Sequence, residues 1–483
     1  MIQEGEPRSS ARSTFGFETY LSPDTYKYGS KEMRQIWSQE NFWSLGRDIW
    51  ISAARTQKEA GLVSDSQLDD LVKNKGNLSV ERILELEREL GHDVAGAIAA
   101  FSEVAPIGGE IVHQGMTSED KLSNAEIIQI LQSFDILRPK LTGVIGAFGK
   151  RIDENKDLVC MAWTHLQAAE PTTMGYRFAK YAQDLLIDLR LLDFVKGEVK
   201  GKGIKGAVGT SASFEEMLEG TGMTAEEHEK KIMEQLGIDY VSISDQTYPR
   251  KFLYTTLSSL AGIGQSLHRF ALDLQILQSS AIDEVSEPRR KKQVGSSAMP
   301  HKANPVIAEN IDSITEELPG MLNSAWLTGA FVTLERTLRD SAGKRSYLPE
   351  SFLIVDEALM RAERIVKGME IHENAVRANL EKFAPYMVTE IVLGALVKTG
   401  MDRKEAHEIL VGHSETARDD VRSGKPNPMK NLLLGDSRIT SVLGAERIEQ
   451  AFESVFSHVG NAPSKCTTFL EDELYPAING GNN

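Results

Sequence analysis

The segment QVGSSAMPHKANPV, residues 293–306, brings together side chains that could move protons and bind anions. Its serines and histidine can exchange protons, and its lysine and asparagine can donate hydrogen bonds to a carboxylate. Taken alone, a run with one glycine and two prolines is more typical of a connection between helices. Other polar clusters in the chain favour a chemical role for this segment. These clusters are GHDV (91–94) with HQGMTSED (113–120), WTHLQAAEPTTMG (163–175), DQTYPRK (245–251) and ERTLRDSAGKR (335–345).

Each cluster has an ordinary structural explanation when it is considered by itself. His165 could be a satisfied histidine, and the pair Thr117–Ser118 could cap a helix. Arg336 and Arg345 could be surface charges. Considered together, the clusters supply what an acid–base site for a dianionic or more negative substrate needs. Hydroxyls and amides would bind carboxylate, a histidine would transfer a proton, and arginines would bind phosphate.

Long helices must position these clusters, because apolar residues recur at helical spacing over much of the chain. One stripe includes Phe178, Leu185 and Leu192. A second stripe covers 250–281 without a proline, and at about 1.5 Å per residue that helix would be roughly 40 Å long or more. A third covers 348–367. Helices of this length are typical of bundles, so the sequence predicts an all-α fold.

Strand patterns are scarce, and YVSIS at 240–244 is the best short candidate. No GxGxxG motif stands at a strand-to-helix turn and no GxxxxGK[ST] motif occurs, which argues against the common nucleotide-binding folds. The Gly- and Lys-rich stretch VKGEVKGKGIKGAVGT, residues 195–210, is either a solvated connection between helices or a loop that faces a phosphate or a carboxylate.

The composition limits the class of protein. A chain of 483 residues can hold two or three domains, and 41% apolar with 26% charged residues is typical of a soluble globular protein. A formal charge of −16 argues against nonspecific binding to nucleic acid or to a membrane surface. Two cysteines, Cys160 and Cys466, are too few for a disulfide framework, and no Cys/His spacing indicates zinc. Without a signal-peptide core or a long apolar window, we expect a cytoplasmic protein.

The string GSSAMPHKANP, residues 295–305, fits the signature G-S-S-x-M-P-x-K-x-N-P of the fumarase/aspartase superfamily. That superfamily also includes argininosuccinate lyases and 3-carboxymuconate cycloisomerases, so the signature alone does not choose a substrate. Four other strings resemble adenylosuccinate lyases in their order and separation, and they are THLQAAEPTTMG, GIKGAVGTSASF, DQTYPRK and ERTLRDSAGKR. The resemblance extends from about residue 20 to beyond residue 400.

The resemblance implies a three-domain, all-α fold of the fumarase/aspartase type, with a central bundle of long helices. It predicts an N-terminal helical domain over 1–120, a central domain with the signature loop over 121–370, and a C-terminal helical domain over 371–483. It also implies a homotetramer with a 20-helix core, in which each active site takes clusters from three chains. The implied reaction releases fumarate from adenylosuccinate, or from the succinylated aminoimidazole carboxamide ribotide of purine biosynthesis, by β-elimination without a cofactor or a metal.

The resemblance further implies roles for single residues. Ser296 would be the base, His165 the acid, and Glu309 the hydrogen-bond partner of His165. The residues expected to bind the succinyl carboxylates are Thr117, Ser118, Gln246, Lys302 and Asn304. Those expected to bind the phosphate are Lys27, Tyr28, Arg336, Ser341 and Arg345. His92 and Asp93 complete the substrate-binding set, with His92 as the competing acid–base candidate near the phosphate or the leaving group.

The sequence departs from the family's usual pattern in three places. Lys27 stands where the family often has arginine, which would remove a bidentate contact to phosphate. Gly91 stands where a basic residue often precedes the His–Asp pair. The run EDKLSNAE after Ser118 differs from the commonest form, which leaves Glu119 and Asp120 without an assigned role.

Two other functions stay open at this point. Another lyase of the superfamily, such as argininosuccinate lyase or a fumarase-like hydratase, would share the signature, but its substrate has no phosphate for Arg336, Ser341 and Arg345 to bind. A helical structural protein that kept the scaffold would be expected to lose the catalytic histidine or serine, and both His165 and Ser296 are present.

Overall fold

The computed structural model describes residues 19–290, 292 and 297–480, and most of them are helical. The chain forms two compact units, each built from three segments. Unit 1 consists of the described residues within Met1–Lys140, Asp188–Gln265 and Ile314–Leu359. Unit 2 consists of those within Leu141–Ile187, Ser266–Ser313 and Met360–Asn483. The three-domain division expected from the resemblance stays a prediction.

Helices dominate both units, which agrees with the predicted all-α fold. The α-helices are α1 (Lys31–Ile36), α2 (Gln39–Glu59), α3 (Asp65–Asn74), α4 (Val80–Leu90), α5 (Asp93–Val104), α6 (Ser118–Asn155), α7 (Met174–Glu198), α8 (Ala212–Leu218), α9 (Ala225–Leu236), α10 (Lys251–Gln278), α11 (Val306–Thr315), α12 (Leu318–Ala330), α13 (Ser341–Gly368), α14 (Glu373–Lys398), α15 (Arg403–Arg422), α16 (Met429–Gly435), α17 (Ser437–Leu443), α18 (Ala445–Ser454), α19 (Ala462–Thr468) and α20 (Tyr475–Asn479). The strands are β1 (Val159–Thr164), β2 (Gln167–Thr173), β3 (Val285–Ser286) and β4 (Glu370–Ile371).

Helices α7, α10 and α13 confirm the three helices that the apolar stripes predict. The stripe residues Phe178, Leu185 and Leu192 are all buried along α7. Helix α13 begins earlier than the predicted 348–367, because its first turns carry charged residues such as Lys344 and show no apolar stripe.

The apolar pattern does not predict the longest helix, α6, which has 38 residues. Pro139 lies inside it, and a proline within a helical pattern normally indicates a kink or an end. The helix continues because one face is buried on both sides of the proline, with Phe134, Leu141 and Phe148 fully inaccessible. Tertiary packing therefore overrides the local signal.

The strand predicted for YVSIS, 240–244, is wrong. Tyr240 forms only an isolated bridge with Gly201, and the residues that follow are irregular. The main strands are β1 and β2, which form an antiparallel hairpin with Val159 opposite Thr173. A short β-branched run becomes a strand only where a partner strand is available, and among the described residues 240–244 pairs only with Gly201.

Each unit has its own apolar core. In unit 1 a core forms among α2, α3, α4 and α5 around Trp50, Leu71, Ile83 and Phe101. In unit 2 a core forms among the helices from α14 to α18 around Val388, Leu396, Leu410 and Ile448. Both cysteines are buried and free, and within the described part of the chain every helix is too short or too polar to cross a bilayer.

The turn between α4 and α5 fixes the position of two candidate site residues. Gly91 ends α4 in the left-handed conformation (φ 69°). Glycine adopts this conformation with little steric strain because it has no Cβ atom. His92 then caps α5, because its Nδ1 accepts the amides of Val94 (3.2 Å) and Ala95 (3.4 Å). Asp93 follows as the first residue of α5, where a carboxylate favours the positive end of the helix.

Helix α9 buries a histidine in apolar surroundings. The His228 ring is inaccessible and lies against Phe214 with ring centroids 5.1 Å apart. Among the described residues, neither ring nitrogen has a hydrogen-bond partner. Burial lowers the pKa of His228 to about 4, so the ring is neutral in the folded protein near neutral pH.

We expect His228 to make the protein sensitive to acid. Because its pKa in the folded state lies below the usual 6.5, the stability linked to it is present above that pH and is lost as the pH falls towards 4. The loss should be about 2 kcal/mol between about pH 7.5 and pH 5. Urea unfolding at both pH values should show a smaller loss for His228→Phe. The exposed His407 on α15 provides the control, since His407→Gln should keep the wild-type pH dependence.

Candidate active site

His165 lies at the tip of the β1–β2 hairpin, in a turn of unusual composition. Thr164 pairs with Gln167, so His165 and Leu166 form a two-residue turn. Both have positive φ angles, 54° and 57°. Turns of type I′ require such angles but normally hold asparagine and glycine, because other residues are strained there by roughly 1–2 kcal/mol each. A strained turn that presents an exposed imidazole indicates a functional position.

The base of this hairpin is firmly held within unit 2. Arg177 on α7 donates from Nη1 to Glu284 Oε2 (2.9 Å) and from Nη2 to the carbonyl oxygen of Met161 on β1. Trp163 on β1 packs edge-on against Phe383 of α14, with ring centroids 5.3 Å apart. These contacts fix the strands, and the tip with His165 stays accessible.

Glu309, the expected partner of His165, lies in the first turn of α11. Its backbone amide donates to the carbonyl oxygen of Pro305 (2.9 Å), and its side chain is exposed. Among the described residues of one chain, no hydrogen bond joins Glu309 to His165.

The structure describes the signature segment from Ser297 onwards, and Ser296 lies outside the described residues. Lys302 is exposed and Asn304 is half-buried. Gln278, the last residue of α10, donates from Nε2 to the carbonyl oxygen of Ala303 (3.0 Å). The two candidate carboxylate ligands are therefore anchored at the end of a long helix.

A buried carboxylate fixes the start of α11, which carries Glu309. Glu287 accepts the amides of Ile307 (2.9 Å) and Ala308 (3.1 Å). Its own amide donates to Gln278 Oε1 (2.9 Å), so the same glutamine holds both sides of the signature segment. Burial raises the pKa of the Glu287 carboxyl, and the two amide bonds oppose that effect.

In unit 1, Asp120 holds the segment Thr117–Ser118 at the start of α6. Its carboxylate is fully buried and accepts the Thr117 amide (2.9 Å). The same carboxylate accepts two amides of the 201–206 loop, at 3.1 and 3.2 Å, and pairs with the ammonium of Lys202. Asp120, which had no role assigned from the sequence, thus positions two of the predicted carboxylate ligands.

The stretch 195–210 is not a solvated connection. Lys202 and Lys205 are buried, and each forms an ion pair with a buried carboxylate, Asp120 and Glu229 respectively. The Gly- and Lys-rich composition therefore does reflect lysines that face carboxylates, but these carboxylates belong to the protein.

Arg336, a predicted phosphate ligand, contacts both the predicted carboxylate ligand Gln246 and Glu119. Arg336 Nη1 lies 2.6 Å from Glu119 Oε1 and donates to Gln246 Oε1 at 3.3 Å. Arg336 Nε donates to the carbonyl oxygen of Thr337 (3.1 Å). The Ser123 hydroxyl donates to Glu119 Oε2 (2.5 Å). Glu119 is therefore the main partner of a predicted phosphate ligand.

Further charged residues extend this contact into a buried cluster. Arg250 Nη2 lies 2.6 Å from Asp340 Oδ2 and 3.9 Å from Glu119 Oε2. Lys344 Nζ lies 2.9 Å from Glu126 Oε2. Burial would raise the pKa of the Glu119 carboxyl, but the surrounding cations outweigh burial and the pKa is lowered. Glu119 is therefore ionised in the folded protein.

Asp93, Ser341 and Arg345 line one cavity of about 330 Å³ in unit 1. Arg345 Nη2 lies 3.0 Å from Asp93 Oδ2, and the Arg345 side chain is 60% exposed, so a ligand can reach it. The rest of the lining combines charged groups with an apolar wall, and it includes Trp37, Phe42, Trp43, Glu119 and Lys344. A concave site with an apolar wall and a few charged groups is typical of small-molecule binding.

The remaining predicted phosphate ligands are placed differently. His92 is half exposed, and its Nδ1 lies 3.3 Å from Asp93 Oδ1, beside the cavity. Lys27 is exposed, with its ammonium 5.3 Å from the ring centroid of Tyr28. Neither Lys27 nor Tyr28 is among the residues that line the cavity.

Lys121 is buried beneath the aromatic wall of the same cavity. Its ammonium lies 3.6 Å from the ring centroid of Phe42 and 3.8 Å from that of Trp43. It has no hydrogen-bond partner among the described residues, and Gly46 packs so closely against it that a Cβ there would clash. Burial lowers the pKa of Lys121 well below its usual value. The two ring faces offset part of the cost of burying the charge.

Lys121→Met should raise the free energy of unfolding by about 1–3 kcal/mol at neutral pH, since it removes a buried charge and keeps the packing. Because the pKa in the folded state is lowered, the wild type gains stability as the pH rises, and the advantage of the variant should shrink in alkali. Urea unfolding at neutral and alkaline pH measures both effects. The exposed Lys230 on α9 supplies a matched control, Lys230→Met. A less stable Lys121→Met would mean that the aromatic contacts outweigh desolvation.

Sequence reasoning missed the buried carboxylates and cations that hold the predicted ligands. Arg250 and Asp340 stand within two quoted motifs, DQTYPRK and ERTLRDSAGKR, so their proximity to the site could have been inferred. Glu119 directly follows the Thr117–Ser118 pair, so its proximity to the site could also have been inferred. Glu126 lies about two turns further along α6, at the end of the run EDKLSNAE, and no motif assigns it a role.

Comparison with known proteins decides the family. A family model described as lyase matches residues 68–320, and one described as adenylosuccinate lyase C-terminus matches residues 385–469. An adenylosuccinate lyase of Schistosoma mansoni is 33% identical over 467 residues, 96% of each chain. The chain belongs to the adenylosuccinate lyase family. An adenylosuccinate lyase of Saccharomyces cerevisiae is 32% identical over 469 residues, again 96% of each chain.

Solved structures share the fold of this adenylosuccinate lyase family member. A fumarate lyase from Mesorhizobium sp. BNC1 superposes with a TM-score of 0.80 at 22% identity, covering 92% of this chain and 98% of its own. A 3-carboxy-cis,cis-muconate lactonizing enzyme from Pseudomonas putida superposes with a TM-score of 0.81 at 22% identity, covering 95% and 99%. The predicted all-α fold of the fumarase/aspartase type is confirmed.

Proposed function

We propose that this chain releases fumarate from adenylosuccinate to give AMP, and from succinylaminoimidazole carboxamide ribotide to give AICAR, in purine biosynthesis. The observation that carries the proposal is the cavity of unit 1, which Asp93, Ser341 and Arg345 line together. Hydroxyl and guanidinium donors suit a phosphate, and the apolar wall suits a flat base. Argininosuccinate has no phosphate, so this cavity favours the nucleotide substrate over that alternative.

The difficult step is the removal of a proton from the carbon next to a carboxylate, because such a carbon is very weakly acidic. Negative charge then builds up on the carboxylate, and donors already in place stabilise it, each by roughly 3 kcal/mol. Thr117, Ser118 and Gln246 in unit 1 are proposed donors, as are Lys302 and Asn304 in unit 2. Asp120 supports the first two by holding the Thr117 amide at 2.9 Å.

Ser296 is the proposed base and His165 the proposed acid. Ser296 would take the proton from carbon, and Lys302 would favour its ionised form by charge. The electron pair left on carbon forms the double bond of fumarate as the C–N bond breaks. His165 then protonates the leaving nitrogen, and Glu309 would stabilise the imidazolium through its other ring nitrogen.

The proposed assembly is a homotetramer in which each active site combines residues from different chains. His165 and Glu309 form no hydrogen bond within the described residues of one chain, so we assign the partner of His165 to a second chain. Large apolar side chains are also exposed on α7, α10 and α12, and they include Ile187, Leu191, Phe194, Leu272 and Trp326. Exposed apolar surface of this kind marks protein interfaces. We expect the tetramer in the cytoplasm.

Purified protein and a panel of substrates test the proposed function. With adenylosuccinate, the absorbance of the substrate should fall while AMP and fumarate appear in equal amounts. The succinylated ribotide should react as well, and argininosuccinate should not. Turnover of argininosuccinate without turnover of adenylosuccinate would replace the proposal with the alternative lyase.

A further inference from the structure

The Nη1 and Nε groups of Arg336 already contact protein acceptors in the ligand-free protein. Its Nη1 contacts Glu119 (2.6 Å) and Gln246 (3.3 Å), and its Nε donates to the carbonyl oxygen of Thr337 (3.1 Å). Its Nη2 lies 3.8 Å from Asp340 Oδ1. A guanidinium binds phosphate most strongly through two of its N–H groups at once, so a phosphate that takes both Nη1 and Nη2 must displace Glu119 from Nη1.

Glu119 is the strongest of these acceptors and is built into its position. The residue is 4% exposed and stands in the first turn of α6. Its other carboxylate oxygen accepts the Ser123 hydroxyl at 2.5 Å and lies 3.9 Å from Arg250 Nη2. The carboxylate is therefore held against Arg336 by a second hydrogen bond and a second cation.

The ion pairs around Arg336 balance in charge before any ligand enters. They join four cations, Arg250, Arg336, Lys344 and Arg345, to four carboxylates, Asp93, Glu119, Glu126 and Asp340. A phosphate monoester adds roughly −1.5 to −2 charges at neutral pH. Each carboxylate that stays beside a phosphate ligand therefore opposes binding.

We propose that Glu119 competes with the phosphate of the ligand for Arg336 and thereby sets the affinity of the site for phosphorylated ligands. The inference rests on the proposed function, because it takes Arg336 as a phosphate ligand. Glu119 has a positioning and specificity role and takes no part in the elimination. It keeps Arg336 oriented in the free protein, at the expense of affinity for the nucleotide product.

Glu119→Gln tests the competition because glutamine keeps the shape of the side chain and removes its charge. AMP should bind roughly tenfold more tightly, the size of one lost charge-assisted contact. Adenosine, which has no phosphate, should bind with unchanged affinity. In turnover of adenylosuccinate, KM should fall without a matching rise in kcat. Isothermal titration calorimetry with AMP and with adenosine provides the two affinities.

Glu87→Gln is the matched control for the loss of charge. Glu87 on α4 lines the same cavity, and it forms no ion pair among the described residues. The substitution removes one negative charge from the same wall without freeing Arg336. Its AMP affinity should rise by much less than that of Glu119→Gln, because only the general field of the cavity changes, and an equal gain in both variants would overturn the proposal in favour of that field effect.

Glu119→Asp keeps the charge but shortens the reach to Arg336 by one methylene, so it should bind AMP more tightly than the wild type if the contact matters. If thermal unfolding shows that Glu119→Gln does not fold, the AMP affinity of Glu119→Asp tests the competition in its place. If Glu119→Gln or Glu119→Asp folds but binds AMP no more tightly than the wild type, the proposed competition is overturned. Failure of the wild type to bind AMP would instead remove the proposed phosphate site.

Discussion

His165→Asn is expected to lower kcat for fumarate release by about 10²–10⁴-fold, the usual contribution of a positioned general acid. The leaving nitrogen departs as a poor, strongly basic group unless it is protonated as the C–N bond breaks. Asparagine has no proton to give at neutral pH. The KM for adenylosuccinate should change little, because the proposed contacts to phosphate and carboxylate come from other residues.

Asparagine is the appropriate replacement because of the backbone at this position. His165 has a φ of 54°, and asparagine is among the few residues that tolerate the left-handed region. An alanine there would mix the loss of the acid with strain in the β1–β2 turn. With asparagine, thermal unfolding of the variant should match the wild type, so a loss of activity reports on the imidazole.

His407→Asn on α15 controls for the substitution itself. His407 is an exposed histidine outside the proposed site, and its replacement should leave kcat unchanged. Steady-state assays of both variants with adenylosuccinate give kcat and KM separately. If His165→Asn kept wild-type kcat, another group would have to be the acid, and His92 would be the first candidate.

The parts of the fold that the sequence predicts are those where packing and local pattern agree. Leu253, Leu260 and Leu274 repeat at helical spacing along α10, and all three are buried. Helix α6 is harder to predict because Pro139 contradicts a helix locally, and only the buried face of the folded chain resolves the conflict. The irregular 240–244 run shows the reverse case, in which a local β pattern meets no partner strand within the part of the chain that the structure describes.

For the candidate site, too, some features can be predicted from the sequence and others cannot. Motifs predict which residues bind the substrate, and the structure groups Asp93, Ser341 and Arg345 in one cavity. Motifs do not predict pairing between side chains that are distant in sequence, such as Arg336 with Glu119 or Lys202 with Asp120. Such pairs depend on the chain path between them, which a single sequence does not specify residue by residue.

Asp120→Asn is expected to lower the free energy of unfolding by about 3–5 kcal/mol, as is typical when one partner of a buried ion pair is removed. The carboxylate of Asp120 accepts the amides of Thr117, Lys205 and Gly206 and pairs with Lys202, and both charged side chains are fully buried. Asparagine offers one acceptor oxygen and turns an NH₂ group towards these donors. The ammonium of Lys202 would then be buried without a counter-charge.

The same substitution at an exposed pair provides the control. Asp65 pairs with Lys58 on the surface, and Asp65→Asn should lower the free energy of unfolding by less than about 1 kcal/mol. Urea unfolding of the two variants under identical conditions measures the difference. A cost for Asp120→Asn no larger than that for Asp65→Asn would mean that water reaches Lys202 once its partner is gone.

Combining Asp120→Asn with Lys202→Met should recover part of the lost stability, because methionine removes the stranded ammonium and keeps its volume. The double variant should still bind adenylosuccinate weakly, since the Thr117 amide lacks the carboxylate that holds it at 2.9 Å. The double variant would then regain part of its stability while its KM for adenylosuccinate stays raised. If KM recovered together with stability, the Thr117–Ser118 segment would be positioned by the first turn of α6 alone, and Asp120 would have only a structural role.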